Sequence, residues 1–149
     1  VQIELNRWRL QDLEPGFLLH FPTGLFGFPH HTEYRLVVQQ PDIPFRWLQA
    51  TATPPVAFVV TDPFAFLPDY QVPLQEQDLY DLQVTPPVEL VLCVIVTLPR
   101  ATSPLLTVNL QGPVLVNRAN GWAKQFVLIH GPYHTCHPLH VTPALTTSP

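Results

Sequence analysis

A chain of 149 residues with 46% hydrophobic and 12% charged side chains suits one globular domain, one large enough to bury roughly two-thirds of the surface its unfolded form exposes. No apolar run approaches the ~20 residues of a membrane-spanning helix, so a soluble protein is expected, and Cys93 and Cys136, read as free thiols with no signal-peptide pattern at the start, suggest the cytoplasm. The net charge of -4, with only 7 scattered Lys and Arg, argues against direct nucleic-acid binding, which needs a clustered basic face, and favours a basic protein partner.

Nineteen prolines against six glycines leave few windows for a helix of three turns, and the expectation is a mainly β, single-domain antiparallel β-barrel-like fold with one short helix. Val1 to Leu10 alternates early and reads as a strand, paired with Phe17 to Phe21 across the turn signal Glu14-Pro15-Gly16. The loop Phe21 to Pro29 then carries Gly24 and Gly27, and the rings of Phe26 and Phe28 are expected to close one end of the barrel. Tyr34 to Gln39, Pro44 to Ala50 and Val56 to Thr61 read as three more strands, and Phe64 to Tyr70 as an extended segment bounded by prolines.

Leu74, Asp78, Leu79 and Leu82 fall near helical spacing between Pro73 and Pro86, which predicts one short helix from about Leu74 to Asp81. Its other face carries Glu76, Asp78 and Asp81, the densest acidic cluster in the chain. Val88 to Leu98 is almost uninterrupted apolar sequence, suited to a strand buried on both faces or bending across a barrel.

The stretch Leu106 to Asn117 alternates apolar with polar residues and breaks at Gly112-Pro113. It reads as two strands joined at a tight bend with one face wet, and Asn109 and Asn117 are placed to bond backbone groups that the bend leaves unpaired. Asn120-Gly121 signals a hairpin leading into a strand from Trp122 to Ile129. The domain is taken as residues 1–141, with 142–149 a flexible tail.

Chemistry-bearing motifs are sparse. His130, His134, Cys136, His137 and His140 crowd the C-terminal end with ligand types that zinc prefers, but their spacing fits neither a helix-borne His pair nor paired CxxC knuckles. A small zinc-dependent enzyme using these residues is the alternative to a protein-binding regulator. A β-barrel that binds single strands through Phe and Trp stacking is a third reading, disfavoured by the scattered arginines. Asp69 beside Tyr70 reads as a turn aspartate and a half-buried ring rather than a catalytic acid. Neither a Gly-x-Ser-x-Gly elbow nor a glycine-rich phosphate loop occurs, and no cofactor is expected.

Several stretches occur in an order that resembles the flagellar assembly factor FliW family. They are Phe21-Pro22-Thr23-Gly24-Leu25-Phe26-Gly27-Phe28, Pro44 to Gln49, Asp62-Pro63, Pro68-Asp69-Tyr70, Thr107 to Asn117 and Gln125 to Leu128. The resemblance implies a barrel-like protein, not an enzyme, monomeric when free. It also implies two partners: CsrA, a small basic dimer that represses flagellin translation, and flagellin itself, which competes for the factor. On that basis Asp69, Tyr70, Glu76, Asp78 and Asp81 are expected to form or border the surface facing CsrA, being an acidic concentration beside an aromatic ring. Phe64, Phe66 or Trp47 is expected to line an apolar groove for a flagellin helix.

Overall fold

The computed structural model describes residues 3–101, 105–129 and 131–139. Among the described residues nine strands follow in chain order: β1 Leu18–His20, β2 Glu33–Val37, β3 Phe45–Ala50, β4 Ala57–Thr61, β5 Leu90–Thr97, β6 Thr107–Val108, β7 Val114–Asn117, β8 Ala123–Gln125 and β9 His137–Pro138. One α-helix, α1 Glu76–Asp81, lies between β4 and β5, and short 3-10 turns occupy Leu10–Asp12 and Pro63–Ala65.

Every ladder is antiparallel, and β1 to β5 form a meander in sequence order. β5 is the organising strand. It has eight residues, of which Leu90 to Val94 are all buried, as expected of an apolar run covered on both faces. Near its C-terminal end it pairs with β4 and β6, and near its N-terminal end with β7, which in turn pairs with β8. The sheet thereby wraps around itself without closing by a ladder. An isolated parallel bridge between His20 and Trp122, with the His20 amide donating to the Gly121 carbonyl at 2.8 Å, brings β1 against the β8 end. The expected mainly β, barrel-like architecture with one short helix is what the chain adopts.

Two buried clusters fill the two sides of this wrapped sheet because successive β5 side chains point to opposite faces. Leu90, Leu92, Val94 and Val96 join Tyr70, Leu82, Leu110 and Leu115 in one. Val91 and Cys93 join Phe21, Tyr34, Leu48 and Val116 in the other.

Several expectations are corrected. The N-terminal segment is not a strand paired with Phe17 to Phe21: β1 pairs with β2 alone, and the earlier chain contributes one bridge, Trp8 to Val91. It turns away at Leu10–Asp12, where the Arg9 amide donates to the Asp12 carboxylate at 2.8 Å; Val1 and Gln2 lie outside the described residues. Within Leu106 to Asn117, β6 and β7 do not pair with each other; both lie along β5, and Thr107, Val108 and all of β7 are buried, so neither strand has a wet face. The bend is where a step of three positions along β5, from Cys93 to Val96, matches a step of six along the partner, from Val114 to Val108. Asn109 does serve that bend, its Oδ1 accepting from the Gln111 and Gly112 amides at 3.1 and 2.9 Å.

The Phe64 to Tyr70 segment begins as a 3-10 turn, capped by Asp62, whose Oδ1 accepts from the Phe64 amide at 2.9 Å. In the Phe21 to Pro29 loop, Phe28 packs edge-on against Phe58, but Phe26 is exposed, and Phe21, Gly24 and Leu25 are the residues buried there. Gly24 is needed for that shape: its φ is +71°, and a side chain would strike the Phe28 carbonyl and the Pro29 Cα. The strand expected over Trp122 to Ile129 is cut to β8, although the Phe126 and Leu128 amides still donate to Pro113 and Gln111. His137 belongs to β9, which pairs with β6. The tail proposed for 142–149 lies outside the described residues.

Candidate functional site

The chain's acidic concentration is built on α1. Its first turn carries Glu76 and Asp78, whose negative charges complement the amide end of the helix. The Asp78 Oδ2 accepts from the Gln75 amide at 2.8 Å, closing the N-terminus, and Gln77 donates to Asp81 one turn on at 2.9 Å. The C-terminal end is a Schellman turn: the Val84 amide donates to the Leu79 carbonyl at 2.9 Å and the Gln83 amide to the Tyr80 carbonyl at 3.0 Å. That turn places Gln83 at φ +53°, a conformation that glycine usually fills.

Tertiary ties fix α1 to the sheet. Leu74 before it and Leu82 after it are buried, while no residue within it is. Buried Asn117 of β7 donates to the Leu82 and Gln83 carbonyls at 2.9 and 3.2 Å, and its Oδ1 accepts from the Ala119 amide at 3.0 Å. Lys124 of β8 reaches Asp81 at 2.8 Å and Asp78 at 3.3 Å, with its ammonium 5.0 Å from the Phe126 ring centroid. Bonds from Lys124, then from Gln77, hold the Asp81 carboxyl below its ordinary range. Partial burial acts to lower Lys124, but its bonds to Asp81 and Asp78 outweigh that and keep it above the ordinary lysine value.

The structure distributes the sequence-derived candidates unevenly. Glu76 is exposed, whereas Asp78 and Asp81 are half-buried and share the Lys124 cation, so the helix is less negative than its own sequence suggests. Asp69 is exposed; Tyr70 beside it is 4% exposed, and its hydroxyl donates to the Leu110 carbonyl at 2.5 Å. Tyr70 is therefore a core residue that offers no free ring to a partner, because a turn tyrosine reached inward to satisfy a carbonyl in the bend after β6. Burial first, and then Tyr133, raises its pKa beyond the usual tyrosine range.

Of the three aromatic groove candidates, Phe64 lines a groove. It borders a cavity of about 680 Å³ together with Ile3, Leu5, Asp69, Tyr70, Leu128 and Tyr133. Phe64 packs near the Arg9 guanidinium, 5.5 Å from its ring centroid, and Arg9 in turn pairs with buried Asp62 at 2.6 Å. Phe66 stacks on His137 of β9, and Trp47 is half-buried on β3; both pack against the first cluster but do not border this cavity.

A second groove, of about 770 Å³, was not read from the sequence. It runs between the C-terminal turn of α1 and β8, lined by Leu79, Tyr80, Asp81, Val84, Trp122 and Lys124, with Pro22 and Thr23 at its edge. The only signal for it in the sequence is Tyr80, an aromatic on the polar face of the predicted helix.

At the C-terminal end, His137 is held by its stacking and Cys136 is exposed, while His130 and His140 lie outside the described residues. Among the described residues, no group of three or more His, Cys, Asp or Glu side chains is positioned to hold a metal ion. Nor is any helix among them long and apolar enough to cross a membrane.

These features define a class: a barrel-like antiparallel protein with a filled interior, whose grooves and charged helix lie on the outside. A family model described as FliW protein matches residues 3–139, and the chain belongs to that family. Flagellar assembly factor FliW of Moorella thermoacetica is 34% identical over 139 residues, covering 93% of this chain and 88% of that protein. The protein of the same name from Treponema denticola is 32% identical, covering 93% of each chain. A crystal structure of the flagellar assembly factor FliW superposes with a TM-score of 0.74 at 31% identity, covering 87% of this chain and 89% of the other.

Proposed function

We propose that this chain is a flagellar assembly factor that works in the cytoplasm by binding other proteins and transforms no substrate. The observation that carries the reading is the correspondence, along almost the whole chain, with proteins named flagellar assembly factor FliW. In this reading the chain binds CsrA and keeps it from flagellin messenger RNA. It also binds flagellin, whose accumulation displaces CsrA and slows further synthesis.

The charge distribution supports a basic partner. The net charge is -4, and Glu76 on α1 and Asp69 beside the 680 Å³ groove present exposed carboxylates. Once docked, each carboxylate repels a phosphate about 10 Å away by roughly 1 kcal/mol before salt screening, so antagonism of RNA binding does not require the protein to cover the RNA site. Reversing Glu76, Asp78 and Asp81 to lysine together should weaken CsrA binding in calorimetry. Undiminished affinity in a folded variant removes the acidic helix from the interface. For flagellin, Phe64→Ala is expected to reduce capture in a pull-down; full retention would move that contact away from the 680 Å³ groove.

A further inference from the structure

We propose that the groove between α1 and β8 takes a cationic polypeptide segment with an apolar anchor residue, clamped between Tyr80 and Trp122. This deepens the reading above and rests on it, because it assigns to the basic partner a site that lies beside the acidic helix.

Four observations converge. The groove has a largely apolar lining in Leu79, Val84, Trp122 and Pro22, and at about 770 Å³ it has room for one or two side chains of a docked segment. Tyr80 on its rim is 78% exposed, more than any other large apolar side chain among the described residues, although its helix neighbour Leu79 packs against the core. A bare aromatic beside an apolar groove is the anchor type that dominates protein interfaces. Half-buried Trp122 faces the same groove, held edge-on by His20 at 5.3 Å between ring centroids, so the groove is walled by a fixed ring on one side and a free one on the other.

Charge decides the kind of occupant. Glu76, Asp78 and Asp81 lie on α1 opposite the cation Lys124, which among the described residues is the only basic side chain lining the groove. Its ammonium, within 3.3 Å of both aspartates, offsets one of these three carboxylates and leaves the helix with a formal excess of two negative charges. A lysine or arginine flanking the anchor residue meets the remaining negative charge, whereas an acidic segment would meet repulsion.

The test uses the full chain with Trp8→Phe and Trp47→Phe, which leaves Trp122 as the sole tryptophan. Titration with purified CsrA is expected to shift Trp122 emission to the blue as the ring loses water. Tyr80→Ala, at a site too exposed to disturb folding, is expected to weaken binding about tenfold or more with an unchanged circular dichroism spectrum. Leu105→Ala, exposed beside β6, is expected to leave it unchanged. If the parent binds CsrA but Tyr80→Ala binds equally well, or Trp122 emission does not move, the groove is not the site and the assignment is overturned while the broader function stands. If the parent does not bind CsrA at all, both the function and the assignment fall.

Discussion

Replacing Asn117 with alanine should be among the most damaging single changes outside the apolar core. The amide is 3% exposed and makes three bonds to the backbone, two into the turn that ends α1 and one that shapes the hairpin before β8. Each lost bond costs about 1 kcal/mol, and more where the group left behind is sealed from water. Asn120 offers partial relief, since its amide approaches the same two carbonyls, but only at 3.4 and 3.5 Å. The net expectation is a loss of about 2–4 kcal/mol, a substantial share of the roughly 5–15 kcal/mol that holds a typical domain together. With a urea dependence of about 2 kcal/mol per molar, the unfolding midpoint should fall by roughly 1–2 M. Asn117→Asp should do no better: it keeps an acceptor for Ala119 but sets a carboxylate against the Leu82 and Gln83 carbonyls. A midpoint within about 0.3 M of the parent for Asn117→Ala would refute the claim that this amide fastens α1 to the sheet.

Gln83→Gly should raise stability by about 0.5–1 kcal/mol, because Gln83 occupies a left-handed position in the Schellman turn; a lower unfolding midpoint would contradict that account of the helix end. Lys124→Gln should cost about 0.5–1 kcal/mol near neutral pH. Asp81 is depressed in the fold, so its share of that difference is present above its unfolded value of 3.8 and lost as pH falls through the folded one. Lys124 is raised, so its share is full below 10.5 and lost as pH rises through its folded value. A parent-to-variant gap that did not close at acid pH would show that the ion pairs are not its source. Thiol titration of the native protein should find exposed Cys136 reacting promptly and Cys93 silent until unfolding, since burial, reinforced by Asp62, pushes the Cys93 thiol up to about 12. Two fast thiols would contradict the sealed second cluster.

Much of the fold was legible because local patterns and tertiary placement agreed. The apolar run around β5, the strands β2 to β4 and the glycine-dependent loop at Gly24 each announced themselves through periodicity or a backbone requirement. The pairing of β6 and β7 was not legible: alternation shows that a strand has two faces, but not that β5 is long enough to hold two partners end to end. Thr107 and Asn117 are polar and yet buried, since each is satisfied by its place in the sheet or by backbone bonds, and this defeated the reading of a wet face. The acidic helix was visible as composition, but its partial neutralisation by Lys124, more than forty residues away, was not. Tyr70 looked like a surface anchor because Pro68-Asp69 marks a turn, and only the structure shows its hydroxyl reaching Leu110. The α1–β8 groove escaped notice because its walls come from segments some forty residues apart.

The central claim is that this chain acts by exchanging protein partners. The most direct measurement is to form its complex with CsrA, isolate it by size-exclusion chromatography, add flagellin, and follow which proteins co-elute. The account predicts that a complex with CsrA forms, that flagellin enters the peak containing this chain, and that CsrA leaves it in proportion. A chain that elutes alone in the presence of either protein would contradict it.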